Sequence, residues 1–283
     1  MSSTDRVDDR SLAFTGSGAG SRWLSFHVHL AGSIDRFLVD YLASRLEQEC
    51  LSGSVSRFFF IRYHEGGLHL RLRFLPEPGR EPEIANWVAE CVNDFARSSA
   101  DQPVQCEVEQ HTYDRGALYF GNTIHSVYAE LLNEQTSWLA LRLLRRFHGN
   151  RAQLMLVLAA SLDHLLLQTA EDHAAYLKSL HASLQFAADT AREYGVVPQP
   201  PNQEETGSFC AVFPQVRNRS ASFLAGDRNI AVMIRLILRL RRSQSTFVAV
   251  HALHLLCNKL GFSLLEEYQI FSLLASINKA ILR

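Results

Sequence analysis

The chain has 283 residues, 47% of them hydrophobic, and a formal net charge of -1; it can bury a core as one large domain or two small ones, and no overall field selects for nucleic acid. Five scattered cysteines without Cys-x-x-Cys spacing exclude a zinc ribbon or disulfide framework and fit reduced thiols in a cytoplasmic protein. Residues 1–20 are polar, lack the apolar run of a signal peptide and are expected to be flexible; no stretch reads as a membrane span, because Arg235 and Arg239 interrupt the best candidate.

In chain order, Trp23–Leu30 alternates as a strand. Ser33 N-caps a helix running to Cys50, with Ile34, Phe37, Leu38, Tyr41, Leu42 and Leu46 as its apolar stripe. Residues 57–75 read as two strands joined at Glu65-Gly66-Gly67, where glycine supplies the positive φ of a short hairpin turn. In the second of them Leu68, Leu70, Leu72 and Phe74 point one way and His69, Arg71 and Arg73 the other. In the first, Phe58, Phe60, Arg62 and His64 share one face, and Phe59, Ile61 and Tyr63 the opposite one. Past Pro76, Pro78 and Pro82, residues 83–97 form a second helix with Ile84, Trp87, Val88, Cys91 and Phe95 inward, and Val104–Tyr113 forms a fourth strand. The order strand, helix, strand, strand, helix, strand predicts a ferredoxin-like sheet with its helices on one face and the Arg71/Arg73 row on the other.

From Asn122 the pattern turns helical, with segments near 122–147, 151–168, 171–194, 207–225, 228–242, 246–260 and 264–281. Pro198-Gln-Pro-Pro201 and residues 202–205 read as a loop. The expectation is an α+β fold: a single domain over 21–283, with a sheet part (21–121) packed against a larger helical part (122–283).

Two polar clusters interrupt these apolar patterns. His69-x-Arg71-x-Arg73 has no acidic residue interleaved, unlike an ordinary solvated strand face, and guanidinium forks suit carboxylates and other oxyanions. On the apolar helix 246–260, His254 and Asn258 are four apart and share a face, with Gly261 as the stop. A satisfied core histidine and a proton-transfer site both fit that pattern. His251 and His254 lack an acidic or cysteine partner at ligand spacing, so no metal is expected. Between the clusters, Tyr113-Asp-Arg-Gly-Ala-Leu-Tyr-Phe-Gly121 is the sheet-to-helix crossing, either a packed aromatic turn or a functional loop.

Together, Trp23-Leu-Ser-Phe-His-Val-His-Leu30, the Gly66-Gly-Leu-His-Leu-Arg-Leu-Arg-Phe74 strand and His254-Leu-Leu-Cys-Asn-Lys-Leu-Gly261 resemble the C-terminal elimination domain of class I lanthipeptide dehydratases, from about residue 21 to the end. In that family a larger, separate domain transfers glutamate from tRNA to Ser or Thr of a precursor peptide. The elimination domain then removes the glutamate, leaving dehydroalanine or dehydrobutyrine. The resemblance implies Arg71, Arg73 and His254 as catalytic residues. Arg62, His69, Tyr113, Tyr119 and Asn258 are the accompanying substrate-binding candidates. It implies no cofactor. The implied partners are a precursor peptide and a separate glutamyl-tRNA-dependent glutamylation protein, with no direct nucleic-acid or membrane contact; apolar patches on the helical half would allow a homodimer.

The chain departs from the family pattern at three places. Tyr119 stands where a third functional arginine is usual, Gly116 where an acidic residue often lies, and Glu134-Gln135 near an Asp-Ser pair. A branch of the same fold, the thiopeptide pyridine synthases, departs from the elimination arginines and catalyses a formal aza-[4+2] cycloaddition between two dehydroalanines, expelling water and the leader peptide. Retention of two arginines and the histidine points to elimination; a non-catalytic peptide-binding scaffold is the reading from another class. Precursor recognition by strand addition is expected at the first strand or the hairpin edge.

Overall fold

The computed structural model describes residues 23–63, 67–98, 106–113, 123–147 and 149–281, with the main-chain path alone for 123–127, 240–247 and 279–281. Residues 1–20, expected to be flexible, lie outside the described residues. Strands β1 (Leu24–Leu30), β2 (Val55–Tyr63), β3 (His69–Pro76) and β4 (Cys106–Thr112) form one sheet in the order β2-β3-β1-β4, with every neighbouring pair antiparallel. This is the ferredoxin-like arrangement that the element order predicts.

Helix α1 starts where Ser33 accepts a hydrogen bond from the Arg36 amide; it runs as Ile34–Arg36, a π-helical stretch Phe37–Leu42, and Ala43–Leu51. Helix α2 (Glu81–Arg97) has Pro82, Glu81 and Glu83 in its first turn and Arg97 in its last, as the helix dipole favours. Both helices cover one sheet face. There Leu24, Phe26, Val28, Phe58, Phe60, Leu70, Leu72 and Phe74 pack with Phe37, Leu38, Leu42, Trp87 and Phe95 in the core. Phe74 centres an aromatic cluster, 5.1 Å from the Phe58 ring and 5.2 Å from Trp87.

The helical part comprises α3 (Thr123–Phe147), α4 (Arg151–Thr169), α5 (His173–Glu193), α6 (Gln203–Gly226), α7 (Arg228–Lys259) and α8 (Leu264–Ile281). Four expectations need correction. The segments 228–242 and 246–260 are one continuous 32-residue helix, α7. Residues 203–205 are helix and not loop: Asn202, the N-cap, and Glu205 form a reciprocal capping box that starts α6 earlier than its apolar spacing suggests. Leu68 precedes β3 and is exposed, so it does not join the core face. Finally, α4 does pass the length and hydropathy test for a membrane span; 61% of it is buried in the protein, as in a core helix. The five cysteines are unpaired.

Helix α7 ends in a Schellman motif: Phe262 N–H donates to Cys257 O and Gly261 N–H to Asn258 O. Gly261 has φ +73°, and a Cβ there would lie 2.6 Å from Arg62 Nη1, so glycine is required twice over.

Candidate functional site

On the sheet face turned away from α1 and α2, the register sets out a grid of three rows and four columns. Phe59, Arg73, Ser25 and His111 form one row; Ile61, Arg71, His27 and Glu109 the next; Tyr63, His69, His29 and Glu107 the third. Columns are about 4.8 Å apart and rows about 7 Å apart. The β3 column carries the cations, β1 the imidazoles and β4 the carboxylates. Imidazole rings stack across the strands: His27 on His111 at 3.9 Å, His27 on His69 at 5.1 Å and His29 on His69 at 4.6 Å.

Arg71 and Arg73 are held by neutral groups. Arg71 lies 3.3 Å over the Tyr63 ring, and its Nε donates to His69 Nε2. His69 Nδ1 is 2.8 Å from Gly67 O; since Nε2 accepts, Nδ1 carries the proton and the ring is neutral. Burial lowers the His69 pKa, outweighing the bond to Gly67, in keeping with that state. Arg73 is 8% exposed; its Nη1 donates to Leu72 O, and its guanidinium lies 5.5 Å from the Tyr113 ring centre. Among the described residues neither arginine has a carboxylate partner. Desolvation, then the charge of Arg71, lowers the Arg73 pKa to about 10. Burial, with His111, Arg73, Arg71 and His69 around it, lowers His27 to about 3.

The Arg73 end of the face is bordered by aromatic and acidic groups. Trp23 packs edge-on to Phe59 at 5.0 Å and lies 5.8 Å from Tyr113. Tyr113 Oη donates to Glu130 Oε1 across 3.4 Å. Arg57 Nε pairs with Glu134 at 2.8 Å and Arg57 Nη1 with Glu130 at 3.6 Å, so two carboxylates of α3 share one guanidinium. Burial raises the Glu134 pKa despite Arg57, and Glu130 adds to the rise.

At the other end, α7 is fastened to β2. The Asn258 side chain accepts the Arg62 N–H at 3.0 Å and donates to Arg62 O at 2.9 Å, completing the strand edge as a neighbouring strand would. The Arg62 side chain turns into the helix-facing side, bonding Asp35 and Lys259 O. Lys259 is fully buried; its Nζ donates to Asn133 Oδ1 at 2.8 Å, and desolvation puts its pKa well below the usual lysine value.

His254 lies one turn before Asn258, about 6 Å along the helix axis. Its Nδ1 is 2.9 Å and 3.2 Å from the two carboxylate oxygens of Glu267, which is 1% exposed. Burial lowers the His254 pKa, but the Glu267 charge and hydrogen bond outweigh it, and the net shift is upward. With Nδ1–H on Glu267, Nε2 is left for proton transfer. Phe186 stands edge-on to the ring at 5.3 Å.

Among the expected site residues, Arg71, Arg73 and His69 form one contact cluster with Tyr113 at its border. Asn258 and Arg62 form the α7–β2 junction, and His254, one turn earlier on α7, meets Glu267 of α8 and Phe186 of α5. Among the described residues no hydrogen bond, ion pair or ring contact joins His254 to either arginine. Tyr119 and Gly116 lie outside the described residues. Glu267 and Glu130 were not singled out from the sequence. Glu266-Glu267 reads as ordinary acidic residues in a helix's first turn, and its pairing with His254 depends on how α8 packs on α7. No group of three metal-ligating side chains occurs among the described residues. The strand-addition expectation also changes: β1 lies inside the sheet, and the β2 edge is occupied by Asn258 and by Ser137, which accepts the Phe60 N–H at 3.1 Å.

The family model for the lantibiotic biosynthesis dehydratase C-terminal domain matches residues 23–277. No curated protein sequence matches the chain. Among solved structures, the chain is similar to the tRNA-dependent lantibiotic dehydratase MibB from Microbispora sp. 107891, with 23% identity and a TM-score of 0.66 over 94% of this chain and 29% of that one. It thus spans under a third of MibB. It is similar to TsrL, with 15% identity and a TM-score of 0.61 over 92% of this chain and 95% of that one. The pyridine synthase TbtD from thiomuracin biosynthesis shows 14% identity and a TM-score of 0.55, over 92% and 98%. With a match over residues 23–277, the chain belongs to the lantibiotic biosynthesis dehydratase C-terminal family, and so to the biosynthesis of ribosomally made, post-translationally modified peptides.

Proposed function

We propose that this chain is a lyase that eliminates glutamate from glutamylated Ser or Thr of a precursor peptide, giving dehydroalanine or dehydrobutyrine. The glutamyl group would be installed by a separate, glutamyl-tRNA-dependent protein. The observation that carries the reading is Arg73, a buried guanidinium beside a second one and with no carboxylate partner among the described residues. Leaving a buried charge unpaired is costly, so the site is suited to an arriving anion.

In the proposed reaction a base takes the Cα proton of the glutamyl-Ser residue, the electron pair forms the Cα=Cβ bond, and the Cβ–O bond breaks to release glutamate as its carboxylate. Arg71 and Arg73 hold the departing carboxylate and offset negative charge on the substrate amide oxygen. His254, oriented by Glu267, exchanges the proton through Nε2. Neutral His69 and Tyr63 fix Arg71, and Tyr113 borders Arg73. Arg62 and Asn258 position α7 against β2, and Tyr119 is proposed as an auxiliary donor. A second reading, pyridine formation from two dehydroalanines, is favoured by Tyr119 standing where the family's third arginine is expected.

The test is turnover of a synthetic glutamyl-serine peptide by Arg71→Ala, Arg73→Ala and His254→Ala. Each should lose about 100-fold or more in kcat, the scale of removing one preorganised electrostatic or proton-transfer group. Unchanged turnover in both Arg73→Ala and His254→Ala would refute the assignment.

A further inference from the structure

The two edges of the sheet are treated differently. On the outward edge of β2, Ser137 accepts the Phe60 N–H, and Asn258 pairs with both the N–H and the C=O of Arg62. On β4 the register with β1 is unbroken from Cys106 to Thr112, and among the described residues no main-chain hydrogen bond leaves β4 on its other side. Glu107 and residues 109–112 are exposed. An exposed edge strand is a template for another chain, and bulges, proline, charged side chains (lysine above all) or a covering element are the devices that blunt it. In β4, Cys-Glu-Val-Glu-Gln-His-Thr contains neither proline nor lysine, and the pairing shows no bulge.

We propose that the outer edge of β4 docks an extended segment of the peptide substrate as a fifth strand; that the occupant is a peptide substrate rests on the proposed function. Strand pairing supplies main-chain hydrogen bonds, and alternate side chains supply selectivity. The β4 side chains on the arginine-bearing face are Glu107, Glu109 and His111, and His111 Nε2 is 2.9 Å from Glu109 Oε2. The docked segment therefore carries basic side chains at alternate positions, opposite Glu107 and Glu109, where opposite charges pair favourably. A fifth strand would lie three strand spacings, about 14 Å, from the β3 arginine column. About four extended residues cover that distance, so the reacting residue lies at least that far along the peptide from the docked segment.

The experiment uses the full chain and a synthetic peptide with one glutamyl-serine and, separated from it by a variable spacer, lysine at alternate positions. Binding is read by fluorescence anisotropy, and amide hydrogen exchange is followed with and without peptide. The expected result is peptide-dependent protection of 106–112. N-methylation of the docked segment should weaken binding at every second residue and spare those between. The variant Glu107→Lys/Glu109→Lys should weaken binding about tenfold, the sum of two cross-strand charge pairs. Absence of binding, binding with protection elsewhere, or uniform sensitivity to N-methylation would overturn the proposal. So would protection of β4 that needs no peptide and grows with protein concentration, which would place a second copy on the edge. A short glutamyl-serine peptide lacking the docking segment is assayed in parallel. Glutamate release from it with no β4 protection by the long peptide sinks the docking surface alone; β4 protection without release from either peptide sinks the elimination reading alone.

Discussion

Arg73 is the residue whose placement makes least sense for stability and most for function. Its guanidinium is buried beside Arg71, bonded to one carbonyl and facing an aromatic ring. An uncompensated buried charge is destabilising, and exchanging buried charged groups for well-packed apolar side chains of similar volume is often neutral or stabilising. Arg73→Met should therefore keep or raise the midpoint of denaturant unfolding while abolishing glutamate release, and a lowered midpoint would show a structural role instead. His254 gives a pH prediction. Its folded pKa is raised, so the Glu267 pair stabilises the fold fully below the unfolded histidine value near 6.5, and that contribution is lost as pH rises through the folded pKa. Glu267→Gln should lower stability at pH 6 more than at pH 9. The limb of the rate profile that reports His254 should also move to lower pH, and an unmoved limb would separate Glu267 from the chemistry. At this scale the strand arginines were legible because period-two alternation fixes which side chains share a face. Glu267 was not, because nothing local in Leu-Leu-Glu-Glu indicates that α8 brings it to a histidine thirteen residues earlier.

At the scale of elements, α7 joins the sheet to the helical part. Within Asn258–Gly261, Asn258 completes the β2 edge, Lys259 reaches α3 through Asn133, and Gly261 makes room for Arg62. Asn258→Ala removes two hydrogen bonds and strands a main-chain N–H and C=O, so it should cost about 1–3 kcal/mol in equilibrium unfolding. Lys259 has a lowered folded pKa, so the unfolded chain binds more protons between that value and about 10.4, and stability rises with pH through this window by at most about 1.4 kcal/mol per unit. Lys259→Met should flatten that rise, and an unchanged pH slope would contradict the burial. The sequence marked α7 as two helices because Arg239-Leu-Arg-Arg-Ser-Gln-Ser breaks the apolar spacing; helical main chain nevertheless continues through it. Likewise α6 begins at its cap, before its apolar pattern.

For the whole molecule, the order of strands and helices through Thr112 sufficed for the ferredoxin-like sheet, since local alternation and short connections leave few topologies. That topology already places β1 inside the sheet, against the expectation of strand addition at the first strand; what local patterns do not determine is which groups cover an edge, as Ser137 and Asn258 do on β2. The same limit applies to the site: Arg71 and Arg73 are neighbours by strand period, whereas Asn258, one turn after His254 on α7, meets Arg62 of β2 across 196 residues of chain. The family places the chain in peptide modification, and the proposed elimination rests on two strand arginines that have no carboxylate partner among the described residues. The measurement that tests this most directly is intact mass spectrometry of a glutamyl-serine peptide, and separately of a peptide with two dehydroalanines placed for ring closure, each incubated with the purified chain. The account predicts loss of glutamate from the first, with formation of dehydroalanine, and no change in the second. Ring closure with leader release from the second, and an intact first peptide, would contradict it.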